Sequence, residues 1–120
     1  MTPNGIRVYL AAPLFSEMER DRNRQLRDQI CEFANVYLPQ ADGGLIFDLV
    51  REGMSPAQAK ARIFQEDIVA ISRCDVLVIV MDGRTVDEGA SFELGYAYCL
   101  GKKCVGLKTA QVGGQFSCLG

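Results

Sequence analysis

The hydrophobic pattern divides the chain into strand-like and helix-like segments that alternate. Four short apolar runs, at residues 6–11, 35–38, 76–80 and 104–107, have the length and composition of strands in a parallel sheet. Between them, apolar residues recur every three to four positions, as in helices that bury one stripe. This βαβαβαβ order predicts an open α/β fold, in which right-handed crossovers place helices on both faces of a parallel sheet.

The predicted helices have recognisable boundaries. Residues 16–19 form the S-x-x-E capping box, which satisfies free N–H groups at a helix start. Ser55-Pro56 predicts an N-cap followed by proline at the first helical position, for a helix that runs to about Arg73. A third helix, from about residue 89 to 100, ends at Gly101. The other segments are residues 40–44, predicted as a loop, 46–54, irregular or a short helix, and 108–120, unassigned.

Composition narrows the class of protein. With 120 residues, 48% of them hydrophobic, the chain is long enough for one domain, over residues 1–120, and too short for two. The net charge is −2 and the 13 Lys and Arg residues are scattered, so we expect no nucleic-acid polymer as a partner. No apolar run reaches the ~20 residues that span a bilayer, and no signal segment is visible. We therefore expect no membrane partner and a cytoplasmic location, which five cysteines without a C-x-x-C pair also fit.

The sequence contains no histidine. This excludes the commonest general base, the Ser-His and Cys-His nucleophile pairs, and most designs of zinc site. The glycine-rich motifs that hold dinucleotides and triphosphates are also absent. Any catalysis therefore depends on carboxylates, Tyr, Lys or Cys.

Residues 81–100 carry most of the candidate chemistry. They follow the most apolar strand and lead into a helix, at the edge where open parallel sheets bind ligands. Four carboxylates lie here, those of Asp82, Asp87, Glu88 and Glu93. Most glutamates are solvated, but apolar neighbours leave Glu93 few solvent-facing positions. Near a helix N-terminus its carboxylate should stay ionised, and could attack an electrophilic carbon or stabilise an oxocarbenium-like centre.

Three further residues each have a structural and a functional interpretation. Asp87 caps the following helix, binds a ligand at the helix start, or does both. Asp67 shares a helix face with Ile63 and Ile71. If the helix is rotated relative to this prediction, the Asp67 side chain is simply solvated. If Asp67 is buried near other carboxylates, its pKa should rise and its carboxyl group becomes a proton donor. Tyr9 ends the first strand, where a tyrosine is more often core than catalytic, although its hydroxyl would point to the same crevice.

Together, four segments resemble the nucleoside 2-deoxyribosyltransferase family. They are Tyr9-Leu-Ala-Ala-Pro-Leu-Phe15, Gln65-Glu-Asp67, Cys74-Asp75 before an apolar strand, and Asp87-Glu-Gly-Ala-Ser-Phe-Glu-Leu-Gly-Tyr-Ala97. The likeness covers about residues 6 to 108, and D-x-G-x-x-x-E-x-G-x-A is its most specific element. It implies a flavodoxin-like or Rossmann-like open parallel sheet of four to five strands with helices on both faces. From about residue 109 the chain is divergent or incomplete relative to the family.

The resemblance implies that 2-deoxyribose is transferred between purine and pyrimidine bases, without a metal or cofactor. Glu93 matches the nucleophile that attacks C1′ of a 2′-deoxynucleoside and holds a covalent deoxyribosyl ester until a second base accepts the sugar. Asp67 matches the residue that exchanges a proton with the base. Asp87 matches the carboxylate that binds the sugar hydroxyls, and Tyr9 the tyrosine that orients the nucleophile. Further substrate-binding positions are Gly89, Gln40 and Phe15.

The implied partners are nucleosides, free nucleobases and further copies of the chain, in a homo-oligomer that is a dimer or larger. Family members continue into an Asn-x-Met-type segment that reaches a neighbouring subunit's site, and residues 110–120 contain no such motif. Two other functions stay open. A deoxynucleoside or deoxynucleotide N-glycosidase would pass the sugar to water, although the apolar loop at residues 12–15 favours an unphosphorylated substrate. A non-catalytic nucleotide-ligand sensor would have to hold phosphates in an acidic pocket that repels them.

Overall fold

A five-stranded sheet is the framework of the protein in the computed structural model, which describes residues 5–83, 85–109 and 116–118. The strands are β1 Arg7–Ala11, β2 Asn35–Tyr37, β3 Val76–Val80, β4 Lys103–Thr109 and β5 Phe116–Cys118. The α-helices are α1 Glu17–Ile30, α2 Ile46–Arg51, α3 Pro56–Arg73 and α4 Glu88–Cys99. A single π-helical turn spans Pro39–Gly43.

The strands are ordered β2-β1-β3-β4-β5, and the first four are parallel. This is the flavodoxin-like order, in which the carboxyl ends of the parallel strands meet at one edge. The predicted α/β fold class is therefore confirmed. The fifth strand departs from the predicted parallel arrangement: β5 runs antiparallel to β4, with Cys118 opposite Leu107. The few residues between β4 and β5 are enough for an antiparallel pair, whereas a parallel crossover needs a dozen or more.

Alternate residues of β1 and β3 point to opposite faces of the sheet, and each face packs against helices. One core cluster contains Val8, Leu10, Val78, Val80 and, from α1, Leu26. The other contains Tyr9, Ala11, Leu77, Ile79, Ile71 of α3, and Ala90 and Ala97 of α4. Helices therefore cover both faces, as predicted, and α3 and α4 lie on the face to which Tyr9 points.

The predicted helix starts are confirmed. Ser16 and Ser55 each accept a hydrogen bond from the backbone N–H three residues later, and the side chains of Glu19 and Gln58 bond back to complete the capping boxes. Gly101 has a φ of +78°, which suits glycine after a helix end. Among the described residues, no helix is both long and apolar enough to cross a membrane.

The region between β2 and α3 is more regular than the sequence indicates. Residues 40–44 are predicted as a loop, but most of them form the π-helical turn, in which the Asp42 carboxylate accepts from the Leu38 N–H at 2.8 Å. Residues 46–51 are the short helix α2. The turn residues Asp42, Gly43 and Gly44 end regular structure in most contexts, and only the contacts with neighbouring elements reveal the π-helical form. That residues 1–120 form a single domain stays a prediction.

Candidate active site

Glu93 and Asp67 line one cavity at the carboxyl edge of the sheet. The cavity has a volume of about 240 Å³ and lies between α2, α3 and α4. Its walls are mostly apolar, with the two carboxylates and one lysine as charged groups; the lining residues are Ile46, Lys60, Ile63, Phe64, Asp67, Ile68, Ile71, Gly89, Phe92 and Glu93. A concave apolar site with a few convergent polar groups is what a small ligand requires.

A tyrosine from the sheet holds the Glu93 carboxylate. The Tyr9 hydroxyl donates a hydrogen bond to Glu93 Oε2, and the Tyr9 side chain is completely buried. Burial and the nearby charges of Glu93 and Asp67 raise the pKa of Tyr9 far above its usual value, so the phenol remains a proton donor. One oxygen of the nucleophile candidate is therefore fixed by a rigid donor from β1.

The pKa of Glu93 differs from the expectation that a helix N-terminus keeps this group ionised. It is raised to about 7, chiefly by burial, and the charges of Asp67 and Asp87 add to the increase. The hydrogen bond from Tyr9 opposes the increase without cancelling it. Glu93 is therefore ionised above neutral pH and takes up a proton below it. The expectation fails because desolvation outweighs the helix dipole at this depth.

Asp67 faces the same cavity from α3 and is half-buried. Burial raises its pKa to about 6, and Glu66 next to it adds to the increase, while a hydrogen bond from Tyr37 lowers the pKa. The Tyr37 hydroxyl donates to Asp67 Oδ1 at 3.4 Å. The helix phase read from the sequence is therefore correct, because the Asp67 side chain lines the same cavity as Ile71.

Asp87 and Gly89 form the start of α4. Asp87 is the N-cap, and its Oδ2 accepts from the Ala90 N–H at 2.9 Å, which confirms the capping interpretation. A methyl group added at Gly89 would lie 3.3 Å from Asp87 Oδ2, so the glycine leaves the carboxylate room. The cap fixes the first turn of α4, and Glu93 lies one turn beyond that first turn. Whether Asp87 also binds sugar hydroxyls stays a prediction.

Gln40 and Phe15 do not line the 240 Å³ cavity. The Gln40 amide is buried, donates to the Arg20 carbonyl and accepts from the Asn23 amide, each at 3.0 Å, so it ties the π-helical turn to α1. Phe15 lies in the loop after β1 with 80% of its surface exposed. Their predicted substrate contacts stay predictions, and the Gln40 amide already has partners for both of its ends.

Tyr37 is the residue of the site that the sequence analysis missed. It lies directly opposite Tyr9 in the parallel pairing of β1 and β2, and the two rings stack with centroids 5.4 Å apart and planes at 15°. The signal was available, since each tyrosine lies in a predicted strand and is followed by a proline two to four residues later. Recognising it required knowing that the two strands are neighbours in register.

A larger cavity of about 670 Å³ lies between β2 and α3 and contains neither Glu93 nor Asp67. Its residue Arg7 is already paired with Asp75 at 3.1 Å. Asp82, the first carboxylate of the 81–100 segment, pairs with Arg22 of α1 at 3.1 Å. We therefore take the smaller cavity, where the titrating carboxylates converge, as the candidate site. Within the described residues, no group of three or more His, Cys, Asp or Glu side chains is placed to bind a metal ion.

Comparisons with solved structures agree with the fold. A conserved protein from Enterococcus faecalis V583 is 31% identical over 89% of this chain, with a TM-score of 0.73, and this chain spans only 65% of that protein's length. A 2-deoxyribosyltransferase from Bacillus psychrosaccharolyticus is 22% identical over 85% of this chain and 72% of its own, with a TM-score of 0.71. The CMP N-glycosidase BcmB of Clostridium botulinum is 25% identical over 85% of this chain and 71% of its own, with a TM-score of 0.51.

A search of curated proteins finds no match. A family model described as nucleoside 2-deoxyribosyltransferase matches residues 8–115. That range contains α3, α4, all of β1 except its first residue, and every candidate site residue. The chain therefore belongs to the nucleoside 2-deoxyribosyltransferase family.

Proposed function

We propose that the protein cleaves the N-glycosidic bond of a 2′-deoxynucleoside and transfers the deoxyribose to another nucleobase through an ester on Glu93. The observation that carries the proposal is the hydrogen bond from Tyr9 to Glu93 beside Asp67 in one apolar cavity. Family membership supports the class of reaction. No cofactor or metal takes part in the proposed steps.

In the first step, the ionised Glu93 carboxylate attacks C1′, and the bond from C1′ to the base nitrogen breaks with its electron pair leaving on the base. Tyr9 holds Oε2, so the other oxygen is free to form the ester. In the second step, a nitrogen of the incoming base attacks C1′ and restores the carboxylate. Both steps pass through an oxocarbenium-like sugar, which the adjacent negative charge stabilises.

Asp67 supplies a proton to the departing base and recovers it from the incoming one. Its pKa of about 6 allows it to carry a proton just below neutral pH, and it lines the same cavity as the nucleophile. The active form of the pair has one proton, on Asp67, with Glu93 ionised. Because the pKa of Glu93, about 7, is above that of Asp67, about 6, this is the less populated of the two singly protonated forms. Asp87, at the start of α4, binds the sugar hydroxyls with the carboxylate that also caps the helix.

A hydrolase is the second candidate, because the chain also shares its fold with the N-glycosidase BcmB. Water would then take the place of the incoming base, with the same ester on Glu93. The two reactions differ only in the acceptor. Their products therefore separate them: a new nucleoside for transfer, and free deoxyribose for hydrolysis.

The test is to incubate the protein with 2′-deoxyinosine and free adenine and to follow products by liquid chromatography and mass spectrometry. We expect 2′-deoxyadenosine, and a sugar adduct on the peptide that contains Glu93 after rapid acid quenching. Glu93→Gln should abolish both, whereas Glu88→Gln, at an exposed position on the same helix, should change neither. Equal turnover by Glu93→Gln would refute the mechanism, and ligand binding without turnover would point to a sensor.

We further propose a homo-oligomer of two or more copies. Apolar side chains of α4 and of its C-cap residue lie on the surface, among them Phe92, Leu100 and Tyr98, the last with 75% of its surface exposed. A second copy that covered them would remove apolar area from water. Light scattering coupled to size exclusion measures the mass, and a monomer at tens of micromolar would contradict the proposal. The expected cytoplasmic location stays a prediction.

A further inference from the structure

Each of the two carboxylates that line the cavity accepts a hydrogen bond from a tyrosine of the sheet. Tyr9 and Tyr37 occupy matched positions on neighbouring strands, and their rings stack at 5.4 Å. Tyr9 donates to Glu93, and Tyr37 donates to Asp67 Oδ1 at 3.4 Å. The proposed reaction uses Tyr9, Glu93 and Asp67 and leaves Tyr37 without a role.

The π-helical turn at residues 39–43 closes over the second contact. A methyl group added at Gly43 would lie 2.7 Å from the Tyr37 hydroxyl oxygen and 3.1 Å from Asp67 Oδ1. The first distance is too short for a Cβ atom and the second is tighter than most Cβ contacts, so a side chain at this position would push the Tyr37 hydroxyl from its place. The Tyr37 hydroxyl is therefore confined by three features: the stack on Tyr9, the turn at Gly43 and the carboxylate that it contacts.

Several ionisable groups act on Asp67 or on Tyr37, or line the cavity: Tyr37 from β2, Tyr9 from β1, Asp42 from the π-helical turn, Glu93 from α4, and Glu66 and Lys60 from α3. Burial and Glu66 both favour the protonated form of Asp67. Tyr37 favours the ionised form, because its hydroxyl donates to the carboxylate. Tyr37 thus opposes burial and Glu66, and limits the rise in the pKa of Asp67, so that Asp67 can release a proton as well as bind one.

We propose that Tyr37 is a positioning residue for the base: it holds Oδ1 of Asp67 so that the second carboxylate oxygen exchanges a proton with the nucleobase. This inference rests on the proposed function, in which Asp67 serves the leaving base. Tyr37 itself does not touch the reacting atoms. Its effect should therefore depend on how much the departing base needs a proton.

That dependence gives the test a readout that a purely structural role would not change. 2′-Deoxyinosine needs a proton on the departing base, whereas N7-methyl-2′-deoxyguanosine carries a positive charge and leaves as a neutral base without one. For Tyr37→Phe we expect kcat on the first substrate to fall about 3- to 10-fold, a small part of the effect of a general acid. On the second substrate kcat should stay within about twofold of the wild type. Glu88→Gln, at an exposed position of α4, is the control and should leave both rates unchanged.

A second measurement does not need turnover. The pKa of Asp67, followed by carboxyl carbon NMR, should rise by about 0.5 to 1 unit in Tyr37→Phe, as expected when a hydrogen bond to a carboxylate is lost. Gly43→Ala pushes against the same hydroxyl and should give the same selective loss of rate if Tyr37→Phe does not fold. Equal losses on both substrates, or an unchanged pKa of Asp67, would overturn the proposal. If the wild type cleaves neither substrate, the proposed function fails, while the NMR titration still decides the contact between Tyr37 and Asp67.

Discussion

Replacing Glu93 with glutamine should make the protein more stable, by an amount that depends on pH. The pKa of Glu93 is raised from 4.5 to about 7 on folding, chiefly by burial. A group whose pKa is raised in the folded state stabilises the protein below the unfolded pKa, and that stabilisation is lost as the pH rises through the folded pKa. The wild type should therefore lose free energy of unfolding between pH 4.5 and about 7.

The magnitude follows from the shift in pKa. At about 1.4 kcal/mol per unit, a shift from 4.5 to about 7 corresponds to roughly 3 kcal/mol, which is an upper bound because Asp67 titrates in the same range. Glutamine resembles the protonated acid in shape and still accepts the Tyr9 hydrogen bond. Glu93→Gln should therefore raise the free energy of unfolding by about 2 to 3 kcal/mol at pH 8 and by less than about 0.5 kcal/mol at pH 4.

Urea denaturation at the two pH values measures this difference directly, and it needs neither a substrate nor an assay of activity. Glu88→Gln is the matched control, because its side chain is exposed on the same helix and should change stability little at either pH. If Glu93→Gln is equally stabilising at pH 4 and pH 8, or destabilising at pH 8, burial does not destabilise the Glu93 carboxylate. The pKa of Glu93 is then not raised by folding.

Three further predictions concern the site and its scaffold. Tyr9→Phe removes the donor to Glu93, so the pKa of Glu93 should rise by about one more unit and the burst of base release at pH 7 should slow about fivefold in rapid-quench experiments. The pH profile of kcat/KM should be a bell with its maximum between pH values of about 6 and about 7, since one proton must remain on Asp67 while Glu93 is ionised; a flat profile from pH 5 to 8 contradicts this. Ser55→Ala should cost about 1 kcal/mol of stability in urea titrations, and Ser55→Asp, which keeps a capping oxygen, should restore most of it.

Local signals in the sequence account for the helix starts and the parallel strands. The capping boxes at Ser16 and Ser55 each involve two residues three positions apart, so both partners of the interaction are visible in a short stretch of sequence. Asp67 is recognisable from the sequence because a carboxylate on an apolar helix face conflicts with its surroundings. Local conflicts of this kind are expected at functional sites, where chemistry rather than stability selects the residue.

Features that depend on distant contacts could not be read in the same way. The stack of Tyr9 on Tyr37 depends on strand register across 28 positions of the chain. The π-helical turn is held by the Gln40 amide, which bonds to α1. The pKa of Glu93 depends on how deeply α4 sits on the sheet, a quantity that periodicity does not contain. Residues 110–115, 119 and 120, which belong to the stretch compared with the family's Asn-x-Met segment, lie outside the described residues.

The stacked tyrosines also give the protein a built-in optical signal. The chain has no tryptophan and only 4 tyrosines, so its near-ultraviolet absorption and circular dichroism above 275 nm come mainly from tyrosine. Two of the four, Tyr9 and Tyr37, are stacked in the sheet with their hydroxyls on Glu93 and Asp67. Protonation of either carboxylate changes the hydrogen bond to its phenol, and with it the spectrum of the ring. The ionisation of these two carboxylates should therefore be observable in the unlabelled protein, by light alone.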